Sequence, residues 1–105
     1  MSLKYKIGDP FPVLPAKDPD GVLDYAFEWN DTKYGPWLQT GETILTSTWV
    51  VTTGISVDSD IISGTQTIVF ISGGTSGKSY RISNTITTSD GRTTVRSAYI
   101  PIQEL

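Results

Sequence analysis

The sequence predicts an all-β protein: an immunoglobulin-like β-sandwich of six to seven antiparallel strands, preceded by an extended proline-rich N-terminal arm. Three observations carry that prediction. Serine and threonine make up about a quarter of the 105 residues, above ordinary usage, and β-branched threonine suits a pleated sheet better than a helix. Apolar and polar residues alternate in segment after segment, and no segment shows an apolar stripe of helical period. Turn signals rich in Gly, Asp and Ser recur about every ten residues, the spacing expected of a sandwich of about 100 residues.

The elements follow in chain order. Residues 1–21 contain Pro10, Pro12, Pro15 and Pro19. Each proline fixes φ and lacks an amide donor, so this stretch is excluded from the interior of a sheet. It reads as an extended arm, either a loose terminus or a strap that docks on a neighbouring subunit with Tyr5, Ile7, Phe11 and Val13 as anchors. The sandwich domain is expected over residues 22–105. Its first strand, "VLDYAFEWN", places Leu23, Tyr25, Phe27 and Trp29 on one face and Asp24, Ala26 and Glu28 on the other. A loop containing Gly35-Pro36, Trp37 and Gly41 follows.

"TILTSTWVVT" predicts the second strand, with Leu45, Trp49 and Val51 inward and Trp49 packed between the sheets. "ISVDSDII" predicts the third, with Ile55, Val57 and Ile61 inward and Asp58 and Asp60 together on the outer face. "TQTIVFIS" is apolar on both faces across Ile68-Val69-Phe70-Ile71. That pattern belongs to a central strand or to one whose outer face meets a partner. The last two strands form a hairpin around Asp90-Gly91, a signal for a two-residue type I′ turn with positive φ at both positions. Tyr80, Ile82 and Ile86 face inward from one strand, and Ala98, Ile100 and Ile102 from the other. Tyr80 stands two residues before Ile82, so it is either an ordinary buried tyrosine or a corner tyrosine, in which case Ile82 takes the place of a core cysteine.

Few chemistries survive a search for equipment. The chain has no cysteine and no histidine, which excludes disulfides, thiolate nucleophiles, Cys/His zinc sites and the commonest base near neutral pH. "SGGTSGKS" (residues 72–79) approaches a phosphate-binding loop, but its first glycine is misplaced and a β-branched segment follows where that motif needs a helix. "DPD" (Asp18, Asp20) reads as a turn and "DSD" (Asp58, Asp60) as a solvated strand face, so neither is assigned a metal. No hydroxyl has an adjacent base. Catalytic, cofactor-binding and metal-ligating residues are therefore expected to be none. The mild net charge of −3 and the absence of a basic patch argue against nucleic acid. No apolar run is long enough to cross a membrane, and "MSLKYKIGDP" lacks the apolar stretch of a signal peptide. Trp37, next to Pro36 in a loop, is the tryptophan best placed for a partner contact.

The words "KDPDGVLDYAFEWN", "WLQTGETI" and "GGTSGKSYRISNTITTSDGRTTVRSAYI" resemble, in this order, a family of small proteins encoded in the structural-gene regions of tailed bacteriophages and prophages. The resemblance spans roughly residues 17–102, and the chain departs from it in the stretch "DTKYGP" and in the arm before Lys17. It implies a non-enzymatic virion component: a capsid decoration, head-tail connection or tail-surface protein assembled in the bacterial host cytoplasm. The implied partners are other phage structural proteins and further copies of the same chain. An adhesion module that grips host-surface carbohydrate through loop aromatics is the alternative.

Overall fold

The computed structural model describes residues 12–30 and 37–105. Among them the chain forms six strands and no helix: β1 (Leu23–Glu28), β2 (Ile44–Val51), β3 (Ile55–Ser63), β4 (Gln66–Gly73), β5 (Ser79–Thr88) and β6 (Thr93–Pro101). They build two antiparallel three-stranded sheets, ordered β1-β4-β3 and β2-β5-β6. The sheets enclose one core. Tyr25, Phe27 and Trp29 enter it from β1 and its end, Val69 and Ile71 from β4, and Tyr80, Ile82 and Ile86 from β5. Ala98 and Ile100 of β6 complete it with Ile102 just beyond the strand, as the alternation predicts. Burying each such Ile or Phe contributes roughly 1.5–3 kcal/mol.

Three expectations are corrected. In β2 the register shifts between Ile44 and Thr46, so Ile44 takes the buried position and Leu45 is 60% exposed. Trp49 is half-buried, its ring centroid 5.2 Å from that of Phe27, and packs against the margin of the core. In β3 a second register shift, between Val57 and Ser59, turns Ile61 outward opposite Ile68 and sets Asp60 opposite Val69. Ile55 is buried, but Val57 and Ile61 are exposed. The bulge also parts the two acids: Asp58 accepts a hydrogen bond from the Ser72 hydroxyl at 2.7 Å.

The β5–β6 turn differs as well. Gly91 has φ +78°, while Asp90, like every non-glycine residue described, has negative φ. The amide of Gly91 donates to the Thr88 carbonyl and that of Thr88 to the Arg92 carbonyl. This is a three-residue loop, a tight turn closed by one left-handed glycine, rather than a two-residue type I′ turn.

Polar side chains key the two layers together. The Trp29 indole donates to the Thr67 hydroxyl at 2.9 Å, and that hydroxyl donates to the Asn84 carbonyl oxygen at 2.6 Å. The Asn84 amide nitrogen then reaches Ser47 Oγ at 2.9 Å and the Thr48 carbonyl at 3.2 Å. Thr67 and Asn84 are fully buried.

Residues 12–17 lie along β6. Val13 and Lys17 make parallel bridges to Tyr99 and Ile102; the amides of Leu14 and Tyr99 donate to the Tyr99 and Pro12 carbonyls, and those of Lys17 and Gln103 to the Pro101 and Lys17 carbonyls. Leu14 is buried beneath this strap, and the Tyr25 hydroxyl donates to the Pro15 carbonyl at 2.8 Å. Burial pushes the Tyr25 phenol up to about 12, so it keeps its proton for that bond.

Asn84→Ala strands the buried Thr67 hydroxyl and should lower stability by about 1–3 kcal/mol, read as a lower urea midpoint at unchanged slope. Gly91→Val forces a β-branched residue into left-handed backbone and should cost about 1–2 kcal/mol; an unshifted midpoint would contradict the turn described here.

Candidate functional site

The residues that shape the surfaces of the described protein fall in three places. The first is the end of the molecule formed by the segment 37–43 and the β5–β6 turn. Gln39 to Glu42 make a turn, with the Glu42 amide donating to the Gln39 carbonyl at 2.9 Å and Gly41 at φ +81°. The turn delivers the Glu42 carboxylate into the protein, where it is buried. There it meets Arg92 through two guanidinium nitrogens, one of them Nε at 2.8 Å from Oε2. It also accepts bonds from the Thr88 hydroxyl and the Gln39 amide. Hydrogen bonding from Arg92 is the main cause that draws this carboxyl down from 4.5 to about 2.

Arg92 also donates to the Trp37 carbonyl at 2.8 Å and stacks over the Trp37 ring at 4.1 Å. Trp37 packs edge-on against Trp29 at 5.8 Å, and Arg96 stacks over Trp29 at 4.2 Å while donating to the Glu28 carbonyl. Trp37 is thus half-buried between an aromatic edge and a guanidinium. Through its contact with buried Trp29 it fastens the loop to the core, and with Trp49 half-buried against Phe27 the three tryptophans do not form an open aromatic platform.

The second place is the junction of the N-terminal strap with the β4–β5 connection. Lys17 is buried, and its ammonium donates to the carbonyls of Asp18 and Gly73 at 2.8 and 2.7 Å. A Cβ on Gly74 would lie 2.7 Å from Ile102 Cγ1, so the glycine permits the connection to press onto the core. The phosphate-loop look-alike is therefore a strand connection, and no helix follows it. Asp18 accepts from the amides of Leu105 and Asp20, which hold its carboxyl below the usual range. Tyr80 anchors the same connection, its hydroxyl oxygen accepting the Thr75 amide at 2.9 Å.

The third place is the outer face of the β1-β4-β3 sheet. The register aligns Asp24, Phe70 and Ser59 in one row, Ala26, Ile68 and Ile61 in the next, and Glu28, Gln66 and Ser63 in a third. Phe70 and Ile61 are 37% and 54% exposed. β4 is the central strand of its sheet, the first of the two alternatives that its sequence raised, and Phe70 is exposed on its outer face. Val13 is 68% exposed on the strap. Tyr5 and Phe11 lie outside the described residues. The Glu42–Arg92 pair, buried Lys17 and the Asn84 chain were not foreseen. A sequence signal existed only for Glu42 and Arg92, which stand beside turn-forming glycines.

Among the described residues, no three His, Cys, Asp or Glu side chains converge as metal ligands, and no helix could cross a membrane. Residues 17–101 match the family model described as podophage GP4 fiber-tail adaptor protein gp77. The chain belongs to that family, which is one of structural, non-catalytic proteins of the phage particle. No curated protein matches it.

Glu42 has a folded pKa of about 2 against 4.5 ordinarily. Its stabilising share is complete above about pH 4.5 and is lost as pH falls toward 2. Glu42→Gln should therefore lower the thermal midpoint at pH 7, and the gap to the parent should close as the pH falls through that window. A gap that stays constant with pH would contradict the role given to the Arg92 pair.

Proposed function

We propose that this chain is a non-enzymatic adaptor of the phage tail, a multi-copy virion component that packs against other phage structural proteins where fibers join the tail. The match of residues 17–101 to the adaptor family carries this reading. The matched segment runs from Lys17, which fastens the strap, to Pro101 at the end of β6. It therefore takes in all six strands.

The fold supports the reading as an immunoglobulin-like module. Sheets ordered β1-β4-β3 and β2-β5-β6 correspond to the B-E-D and C-F-G strands of that plan. The strap beside β6 stands where a first strand would lie. The hydroxyl of Tyr80 bonds back to the Thr75 amide as a corner tyrosine does, with buried Ile82 two residues on.

In this reading residues 22–105 are the rigid body, the strap of residues 12–17 is docked on its β6 edge, and the arm of residues 1–21 reaches its neighbours through the stretch before that strap and through side chains exposed on it. Tyr5, Phe11 and exposed Val13 serve as anchors, and Trp37 contributes through the loop surface that it braces. Many copies give individually weak contacts the avidity an assembled particle needs.

Particles purified from the encoding phage or prophage should contain the protein in the tail fraction at a fixed copy number, and cross-linking should place it next to fiber and tail proteins. Val13→Asp should reduce its incorporation while leaving the isolated domain's melting curve unchanged. Particles that lack the protein, or that carry it only on the capsid, would overturn this function.

A further inference from the structure

The outer face of the β1-β4-β3 sheet has an uneven charge. Its three strands give this face Asp24, Glu28 and Asp58, and they contain no Lys or Arg. The whole chain has a formal charge of only −3. At the centre of the face lie Ala26, Ile68, Phe70 and Ile61, bounded by Asp24 and Glu28 on the β1 side. Asp58, bonded to Ser72, bounds it on the β3 side. An apolar centre with a one-signed rim selects a partner with the inverse pattern: apolar side chains flanked by cations.

This chain carries that pattern itself. Lys4-Tyr5-Lys6-Ile7 alternates cations with apolar residues, and eleven residues precede Pro12, where the strap on β6 begins. Residues 8–11 join Ile7 to Pro12, and extended this link spans up to about 16–18 Å. That length lets residues 4–7 leave one molecule and lie against the adjoining face of a neighbour.

We propose that the outer face of the β1-β4-β3 sheet receives residues 4–7 of a second copy of this chain. Tyr5 and Ile7 lie on Phe70, Ile68 and Ile61. Lys4 and Lys6, whose long stems let the ammonium groups bend outward, reach the carboxylates of Asp24, Glu28 and Asp58. The contact joins two different surfaces, so each copy offers both a donor segment and a receptor face. Such a contact propagates from copy to copy until it closes on itself. This deepens the adaptor reading, on which it rests, by naming the receptor of the arm.

The test is self-association of the full chain, followed by sedimentation at low and high salt. The parent should associate reversibly, and more weakly at high salt, because the rim charges are screened. Phe70→Ser with Ile61→Ser should weaken association at least tenfold at an unchanged melting temperature, since both side chains are already exposed. Lys4→Glu with Lys6→Glu should do the same, and adding Asp24→Lys with Asp58→Lys to that variant should restore association. A parent that stays monomeric at millimolar concentration, including one whose arm covers its own face, would overturn the proposal. So would association indifferent to these substitutions, or charge reversals that do not compensate. None of those results would remove the protein from the tail fraction of particles, so the adaptor reading stands or falls separately.

Discussion

The side-chain amide of Asn84 is the constraint on which the rest of the molecule depends. It sits on β5, the central strand of one sheet, and its oxygen accepts a hydrogen bond from the Thr67 hydroxyl on β4, the central strand of the other. Its amide nitrogen donates to β2 at Ser47 Oγ and the Thr48 carbonyl. A buried amide left without partners costs about 1–3 kcal/mol, so only alignments that satisfy Asn84 are stable. Because strand faces alternate at every residue, a slip of one residue in β5 would turn Asn84 to solvent and bring Ser83 or Thr85 inward. The aliphatic core rewards any apolar packing of suitable volume; the Trp29–Thr67–Asn84 chain selects one register between layers.

With the central strands keyed together, variation is left to the edges and outer faces, where a structural protein meets its neighbours. The strap of residues 12–17 covers the β6 edge, which removes one row of unpaired backbone groups from contact with other chains. The β3 edge carries a bulge and Asp58, two devices that discourage indiscriminate strand addition. At one end, Glu42, Arg92 and Trp37 tie a loop to the β5–β6 turn. A surface held in this way loses little conformational entropy when a partner docks.

How much of this was legible in the sequence depends on the reach of each interaction. The β5–β6 hairpin was readable because its partners are close in the chain and both strands alternate without interruption. Its turn type was not, since Asp-Gly fits both a two-residue loop and the final positions of a three-residue one. β3 misled for a different reason. Its alternation is that of a half-buried strand, but it lies at a sheet edge with its inward positions Asp60 and Ile62 exposed, and the bulge inverts the pattern at mid-strand. The polar interior was the least legible part. Lys17 finds Gly73 56 residues away and Glu42 finds Arg92 50 residues away. Composition and period carry no information about such pairings.

The same polar groups show how buried hydrogen bonding limits the reactivity of the described side chains. A general base must keep a lone pair available to substrate, with a pKa near the working pH. Glu42, the buried carboxylate, is held at about 2 by Arg92, Thr88 and a backbone amide, so as a base it is far too weak. Lys17 donates from its ammonium to two carbonyl oxygens, which occupies it in holding the strap to the β4–β5 connection. Asn84 and Thr67 are occupied with one another. In each case the stabilising contact is the one that removes reactivity. The polar atoms buried here are used to fix geometry, and a fixed geometry is what an adaptor supplies to the proteins on either side of it.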